Sequence, residues 1–244
     1  MLVLLPPSEG KTAPRRGKSL DLAGLSFPGL ANTRRSVLAA LTAASAAPDA
    51  LAVLGVPPTL DDEVARNRSL PDGPTAPAAA VYSGVLYAAL DLAGLDTAAR
   101  RRANRWLVVT SALFGAVRPT DRIPAYRLSM KVNLPPLGPL AAVWRRPLAA
   151  ELDPVAERAL IVDCRSSTYA AAWVPPPGAW WVAIQVPGAT HMAKHARGLV
   201  ARHLCEAGVD ARTPQRLAAV LADWFDVELA PPPRRGRPWE LSVS

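Results

Sequence analysis

The chain has 244 residues, half of them apolar and a fifth charged, which suits one large domain with an ordinary hydrophobic core and excludes a disordered or low-complexity protein. Its 28 basic residues against 20 acidic ones leave a formal charge of +8, a field that favours anionic partners over cationic ones. No stretch approaches the ~20 consecutive apolar residues of a membrane span, and with only two cysteines a reducing, cytoplasmic location is expected.

Met1 to Leu5 reads as a buried strand stopped by Pro6 and Pro7, which cannot donate to a sheet ladder. The following Pro6-Pro7-Ser8-Glu9-Gly10-Lys11-Thr12 ends in Gly-Lys-Thr but is not a Walker A loop. Leu5 stands where that loop needs glycine, and the two prolines lack the N–H groups that cradle phosphate. What remains is a strand-end loop whose Ser8, Lys11 and Thr12 suit an anionic oxygen, with a solvated surface turn as the alternative.

Residues 32–46 carry apolar positions at helical spacing, with Asn32 or Thr33 as caps. A Pro- and Gly-containing linker surrounds Pro71 to Pro77. Ala78 to Tyr82 is predicted as a short strand and Gly84 to Leu92 as a helix. Asp96 to Arg105 reads as a helix capped by Asp96 or Thr97, feeding a central strand at Trp106 to Thr110.

Ser111 to Met130 follows as a polar segment. Ser111, Arg118, Asp121, Tyr126 and Arg127 within it suit phosphate contact and base stacking, unless Arg118 and Asp121 merely pair to hold a turn. Leu160 to Asp163 and Trp180 to Val186 are two further strands. Ser166, Ser167 and Tyr169 leave the first of them, with no recognisable base for a serine nucleophile.

Thr190 caps a helix running to about Ala207 and closed by Gly208, and Thr213 with Pro214 opens another. Lys194 and Arg197 share one face of the first of these helices. His191 and His195 are spaced like zinc ligands but lack the adjacent glutamate and a third ligand, so no metal or cofactor is expected. Cys164 and Cys205 read as buried, inert thiols. Arg234, Arg235 and Arg237 form a short basic tail, and Trp239 to Val243 alternates like an edge strand. Interspersed strands and helices predict a mixed α/β fold, one domain over residues 1–244.

Nearly all the positive charge is arginine; only Lys11, Lys18, Lys131 and Lys194 are lysine. The Ala, Pro and Arg bias is that of a GC-rich genome, in which retained lysines are candidates for work that needs a compact, titratable ammonium.

Taken together, Ser8 with Lys11-Thr12, the Tyr82-Ser83-Gly84 turn, Leu113-Phe114-Gly115 through Arg118-Pro119 to Tyr126-Arg127-Leu128 and Met130, the Ser167/Tyr169 loop, and Lys194-Ala196-Arg197-Gly198 resemble the YaaA (peroxide stress, UPF0246, DUF328) family across most of the chain. The sequence departs from the enterobacterial pattern in its N-terminal motif and its Pro/Arg-rich C-terminus.

The resemblance implies a cytoplasmic protein of the oxidative-stress response that limits iron-driven damage. It also implies sequence-independent DNA binding through a basic cleft, in a mixed α/β fold with a helix-hairpin-helix-like element. Ser8, Lys11, Thr12, Tyr82, Ser111, Arg118, Asp121, Tyr126, Arg127, Ser167, Lys194 and Arg197 are then the residues expected at DNA or a nucleotide-like anion. The alternative is an enzyme acting on a nucleotide, nucleoside or nucleobase in a pocket built from the same motifs, with Lys11, Lys194, Ser8 and Tyr169 as candidate catalytic groups. The sequence leaves the oligomeric state open.

Overall fold

A computed structural model describes residues 1–188 and 190–244. The chain opens with β1 (Leu2–Leu5), whose four residues are all buried, as expected of an inner parallel strand covered on both faces. A long crossover follows: α1 (Ala31–Ala46), α2 (Ala50–Leu54), α3 (Asp61–Arg66), β2 (Ala76–Pro77), α4 (Ala78–Val81), α5 (Val85–Leu90) and α6 (Thr97–Trp106). It delivers the chain to β3 (Leu107–Ser111), which turns back into β4 (Gly115–Val117).

The two-residue strands β5 (Arg122–Ile123), β6 (Asn133–Leu134) and β7 (Gly138–Pro139) lead to α7 (Leu140–Ala156). Then come β8 (Ile161–Asp163), α8 (Ser167–Ala170), β9 (Trp181–Gln185), α9 (Thr190–Ala207), α10 (Pro214–Leu221), β10 (Val227–Ala230) and β11 (Trp239–Val243).

Seven of the strands form one sheet in the order β10-β11-β9-β8-β1-β3-β4. Its five inner strands are mutually parallel, and antiparallel β10 and β4 close the two edges. The fold is a mixed α/β single domain. One hydrophobic cluster runs through it from β1 to β11.

Two glycines carry the packing of helices onto this sheet. At Gly115, φ is 72° and an added Cβ would sit 2.6 Å from the Trp144 ring; that ring is fully buried, and its Nε1 donates to the Ala112 carbonyl at 2.8 Å. At Gly198 on α9, an added Cβ would lie 2.3 Å from the Leu86 carbonyl of α5. Gly198 is therefore where the two helices touch backbone to backbone.

Several boundaries differ from the sequence expectation. α1 is entered from a 3-10 turn at Pro28–Leu30, and neither Asn32 nor Thr33 caps it. Ala78–Val81 is a helical turn, not a strand, because its N–H groups bond to the Pro119 and Asp121 carbonyls and close their own turn; only Tyr82 pairs, in a single bridge to Lys11. Trp239–Val243 is an inner strand, since β10 covers the edge it was expected to form. Asp96 and Thr213 do cap α6 and α10, whereas the side chain of Thr190, the cap expected for α9, is not among those described.

Candidate functional site

In an open parallel sheet, ligands bind beyond the carboxyl ends of the strands where the chain reverses its direction of winding. Here β1 is followed by β3 on one side, and the chain returns as β8 on the other. The loops after β1 and β8 flank that crevice, so the strand order itself brings Ser8, Lys11 and Thr12 to the same edge as Ser166, Ser167 and Tyr169.

On the β1/β3 side lies a cluster centred on Lys11. Its Nζ donates to the Ser8 carbonyl at 2.7 Å and the Glu9 carbonyl at 3.3 Å. It also stands 4.3 Å from the centroid of the Tyr126 ring and 5.8 Å from that of Tyr82. Burial, and then the positive charge of Arg127, lower the Lys11 pKa from 10.5 to about 7, against the opposing pull of Glu63 and Glu9. The side chain as a whole is only half-buried. The ammonium is nonetheless shielded enough for its proton to be released near neutrality.

The walls of this cluster are held by hydroxyls. Ser111 Oγ accepts from the Phe114 N–H at 3.0 Å and lies 2.7 Å from the Tyr126 hydroxyl, which lies 3.1 Å from that of Tyr82. Tyr87 stacks on Tyr82 with centroids 5.3 Å apart and donates to the Pro6 carbonyl at 2.7 Å. Desolvation, ahead of the neighbouring tyrosines, pushes the hydroxyls of Tyr82, Tyr87 and Tyr126 well above the usual range. All three stay protonated at neutral pH.

Ser8 is spent on its own loop: its Oγ donates to the Gly10 carbonyl at 2.5 Å and accepts from the Ser83 N–H at 3.0 Å. Thr12 is exposed, its N–H bonded to the Val81 carbonyl at 2.9 Å. Arg127 is fixed by a two-point clasp, its N–H donating to Asn67 Oδ1 and its carbonyl accepting from Asn67 Nδ2, both at 2.9 Å. Its guanidinium reaches Glu63 at 3.4 Å and the Glu9 carbonyl at 3.3 Å.

On the β8/β9 side lies a cleft of about 590 Å³ whose lining includes Arg165, Arg197, Arg234 and Arg237, with Asp163 and Glu240 as its acids. Asp163 is already engaged: Arg165 grips it through Nε at 2.8 Å and Nη2 at 2.7 Å, and Trp181 Nε1 donates to it at 3.1 Å. The remaining Arg165 nitrogen, Nη1, is buried without a partner. Arg197 leans on the Ile184 carbonyl at 3.3 Å. Helix α8 separates the two halves, since Ser167 and Ala170 line the cleft while Tyr169 faces Glu9 and Arg127; burial raises the Tyr169 pKa, and its hydrogen bonds to Ser129 and the Met130 backbone oppose that.

Other expected residues lie elsewhere. Arg118 donates to the Arg105 and Asn104 carbonyls at the end of α6, at 2.5 and 3.4 Å, and stacks over Phe27. Asp121 accepts from the Arg118 N–H at 2.9 Å and from Ser26, so the two residues organise a turn through a backbone bond and not through an ion pair. Lys194 is exposed on α9, as are His191 and His195. Among the described residues, no three His, Cys, Asp or Glu side chains gather into a metal-binding group, and no helix is long and apolar enough to cross a membrane. Burial pushes both cysteine thiols up to about 12.

Sequence reasoning missed Asn67, Glu63, Asp163 and Arg165. The last two are two residues apart at a strand end, and an acid-x-arginine exit from a buried strand is the one signal that could have marked them.

These features define a mixed α/β protein with an arginine-lined cleft against strands β8, β9 and β11 and a lysine–tyrosine cluster after β1. Residues 1–229 match the family described as "Peroxide stress protein YaaA". The chain is 46% identical over 254 residues to a UPF0246 protein of Streptomyces coelicolor, covering 100% of this chain and 98% of that relative. It is 41% identical over 231 residues to a UPF0246 protein of Corynebacterium efficiens and 38% identical over 233 residues to one of Corynebacterium glutamicum, each time with 90% of this chain and 91% of the relative covered. The chain belongs to the YaaA peroxide stress (UPF0246) family.

Proposed function

We propose that the protein binds nucleic acid without reading its sequence and, by covering the backbone under peroxide stress, limits iron-driven oxidative damage. The observation that carries this reading is the arginine lining of the β8/β9 cleft. Asp163 is consumed by Arg165, so Arg197, Arg234 and Arg237 face the cleft with Glu240 as its other acid. Arginine forks suit phosphate oxygens, and a volume of about 590 Å³ is that of a small-ligand pocket. It takes a short stretch of single strand or a displaced nucleotide, not a duplex.

Helices α5 and α6 each pack on α9 and hardly on each other, so this reading rests on the arginine cleft and not on a helix-hairpin-helix-like element. Phosphate contacts of this kind position a backbone without specifying bases. The test is a salt titration on single-stranded and duplex oligonucleotides of unrelated sequence, where log affinity falls with log salt by about 0.7 to 0.9 per phosphate neutralised. A flat salt response with strong sequence preference would remove this reading.

A second reading, an enzyme acting on a nucleotide-like substrate at the same edge of the sheet, is favoured by one observation. Lys11, with its pKa near 7, sits over tyrosine rings in the switch-point crevice, as groups tuned for proton transfer or nucleophilic attack do. Lys11→Arg fixes a positive charge there and removes a titratable amine. Loss of peroxide survival in that variant, with oligonucleotide affinity retained, supports the enzyme.

A further inference from the structure

The floor of the arginine cleft is one face of the sheet, toward which Trp181, Ala183 and Gln185 alternate from β9. Strand pairing sets Asp163 of β8, Ala183 of β9 and Glu240 of β11 in one row across the three strands. Neighbouring strands lie ~4.8 Å apart, so the backbones of the two acids stand about 10 Å from each other with a single methyl group between them. The floor is lowest there, over Ala183.

The two acids differ in what meets them. Asp163 is gripped by Arg165 and Trp181. Glu240 is exposed, and among the described residues it forms no ion pair, although Arg165, Arg197, Arg234 and Arg237 line the same cleft. A cleft that only gripped phosphate would be weakened by a free carboxylate, because like charges repel. An ionised carboxylate accepts hydrogen bonds and donates none. It fits a ligand that brings an anion to one side of the cleft and hydrogen-bond donors to the other.

The anion's place is on the β8 side. Arg165 is buried, with one edge of its guanidinium on Asp163 and its centre 5.6 Å from the Trp173 ring. Its Nη1 is left without a partner, a donor that an anionic oxygen would satisfy. Arg197 reaches the Ile184 carbonyl through Nε and Nη2, which leaves Nη1 for the same anion. On the Glu240 side, the donor pair that a nucleotide carries whatever its base is the 2′ and 3′ hydroxyls of ribose. Deoxyribose has lost one of them.

We propose that the cleft prefers a ribonucleotide to a deoxyribonucleotide, with Arg165 and Arg197 at the phosphate, the sugar over Ala183, and Glu240 accepting from the 2′ and 3′ hydroxyls. The proposal rests on the binding reading of the cleft and names the class of nucleotide within it. The sugar is the same under every base, so this preference adds no sequence reading. A cleft of about 590 Å³ has the size of a small-ligand site. Its nucleotide is either free or the 3′ end of an RNA strand, where both hydroxyls are unsubstituted.

Calorimetric titration of the full chain with adenosine, deoxyadenosine, cytidine and guanosine 5′-monophosphates tests the sugar. A single-stranded RNA decamer with a ribose 3′ end, and the same decamer ending in 2′,3′-dideoxyribose, test the source. A hydrogen bond to a charged group is worth on the order of 10-fold in affinity. Adenosine monophosphate should therefore bind about 10-fold more tightly than its deoxy form, with the cytidine and guanosine forms close to it. The arm that shows the ribose preference names the source.

Glu240→Gln, checked by thermal melting, should bring the ratio of ribose to deoxyribose affinity toward one. Arg197→Ala should weaken both forms and keep the ratio. Equal affinity for the two sugars in the parent, or a preference that Glu240→Gln leaves intact, overturns the proposal. So does a much tighter guanosine form, which would place Glu240 at the edge of the base. Salt-dependent binding of the oligonucleotides alongside any of these results leaves the binding reading standing. No salt-dependent binding of nucleotide or oligonucleotide removes both.

Discussion

The two halves of the crevice place positive charge at one edge of one sheet by opposite means. Beyond β8 and β9 the cations are arginines, which stay charged whatever surrounds them, and one of them is bought into the interior by a carboxylate, Asp163. Beyond β1 and β3 the cation is a lysine with no carboxylate within hydrogen-bonding reach, faced by rings and carbonyl oxygens. The first arrangement holds charge constant and suits grip; the second lets charge change near neutral pH and suits chemistry. The difference follows from the partner supplied, not from depth alone.

The largest effect should come from breaking the arginine half. Removing Asp163 leaves the Arg165 guanidinium buried and unpaired, which costs about 3–5 kcal/mol. Urea denaturation of Asp163→Ala should show that loss, with the cleft's salt-dependent binding lost too. Replacing both partners, Asp163→Leu with Arg165→Met, should restore most of the stability, because a well-packed apolar pair carries no stranded charge. If Asp163→Ala is as stable as the parent, the pair is not the anchor of the cleft.

A smaller effect should sharpen the lysine half. Folded Lys11 titrates near pH 7 and the unfolded chain's lysine near 10.5. Between those values the unfolded state holds a proton that the folded state has released, so stability rises with pH; below about 7 both states are protonated and the burial cost is borne in full. Unfolding free energies measured from pH 6.5 to 9 should rise more steeply for the parent than for Lys11→Met. Equal slopes would mean that Lys11 keeps its proton in the folded state.

The sequence made the strands at Leu2–Leu5, Ile161–Asp163 and Trp181–Gln185 legible because each is a short apolar run ended by proline or polar residues. Asp96 and Thr213 were readable as caps because capping is a local bond. Helix α7 was not readable, since Pro147 and Pro154 lie inside it and the usual signal reads proline as a stop. The segment from Ser111 to Met130 looked polar, yet most of it is buried, because its polar atoms bond across the fold: Ser111 to Tyr126, Asp121 to Ser26.

Lys11 could be singled out for its rarity among arginines. Tyr82, Tyr126 and Arg127 were named as site residues as well, but their gathering around Lys11 was not readable, because they reach it only through sheet order and the hold of Asn67. The two cysteines were readable as inert: with both thiols raised to about 12 by burial, each should react with a thiol reagent at pH 8 far more slowly than free cysteine, as a timed labelling assay would show.

The smallest effect is expected at Lys194, and it separates grip from chemistry most cleanly. Lys194 shares helix α9 with Arg197 but is exposed, whereas Arg197 is half-buried against the Ile184 carbonyl. A solvated ammonium that touches a phosphate acts as a point charge, so Lys194→Arg should leave oligonucleotide affinity and peroxide survival as they were. Lys194→Ala should lower the salt slope by about one contact at most. Lys11→Arg, by contrast, should leave the salt slope unchanged and abolish whatever chemistry the amine performs. Binding isotherms at several salt concentrations for the three variants decide the matter. A Lys194→Arg protein that binds normally but fails in peroxide survival would move the reactive amine from β1 to α9 and dissolve the division between the two halves of the crevice.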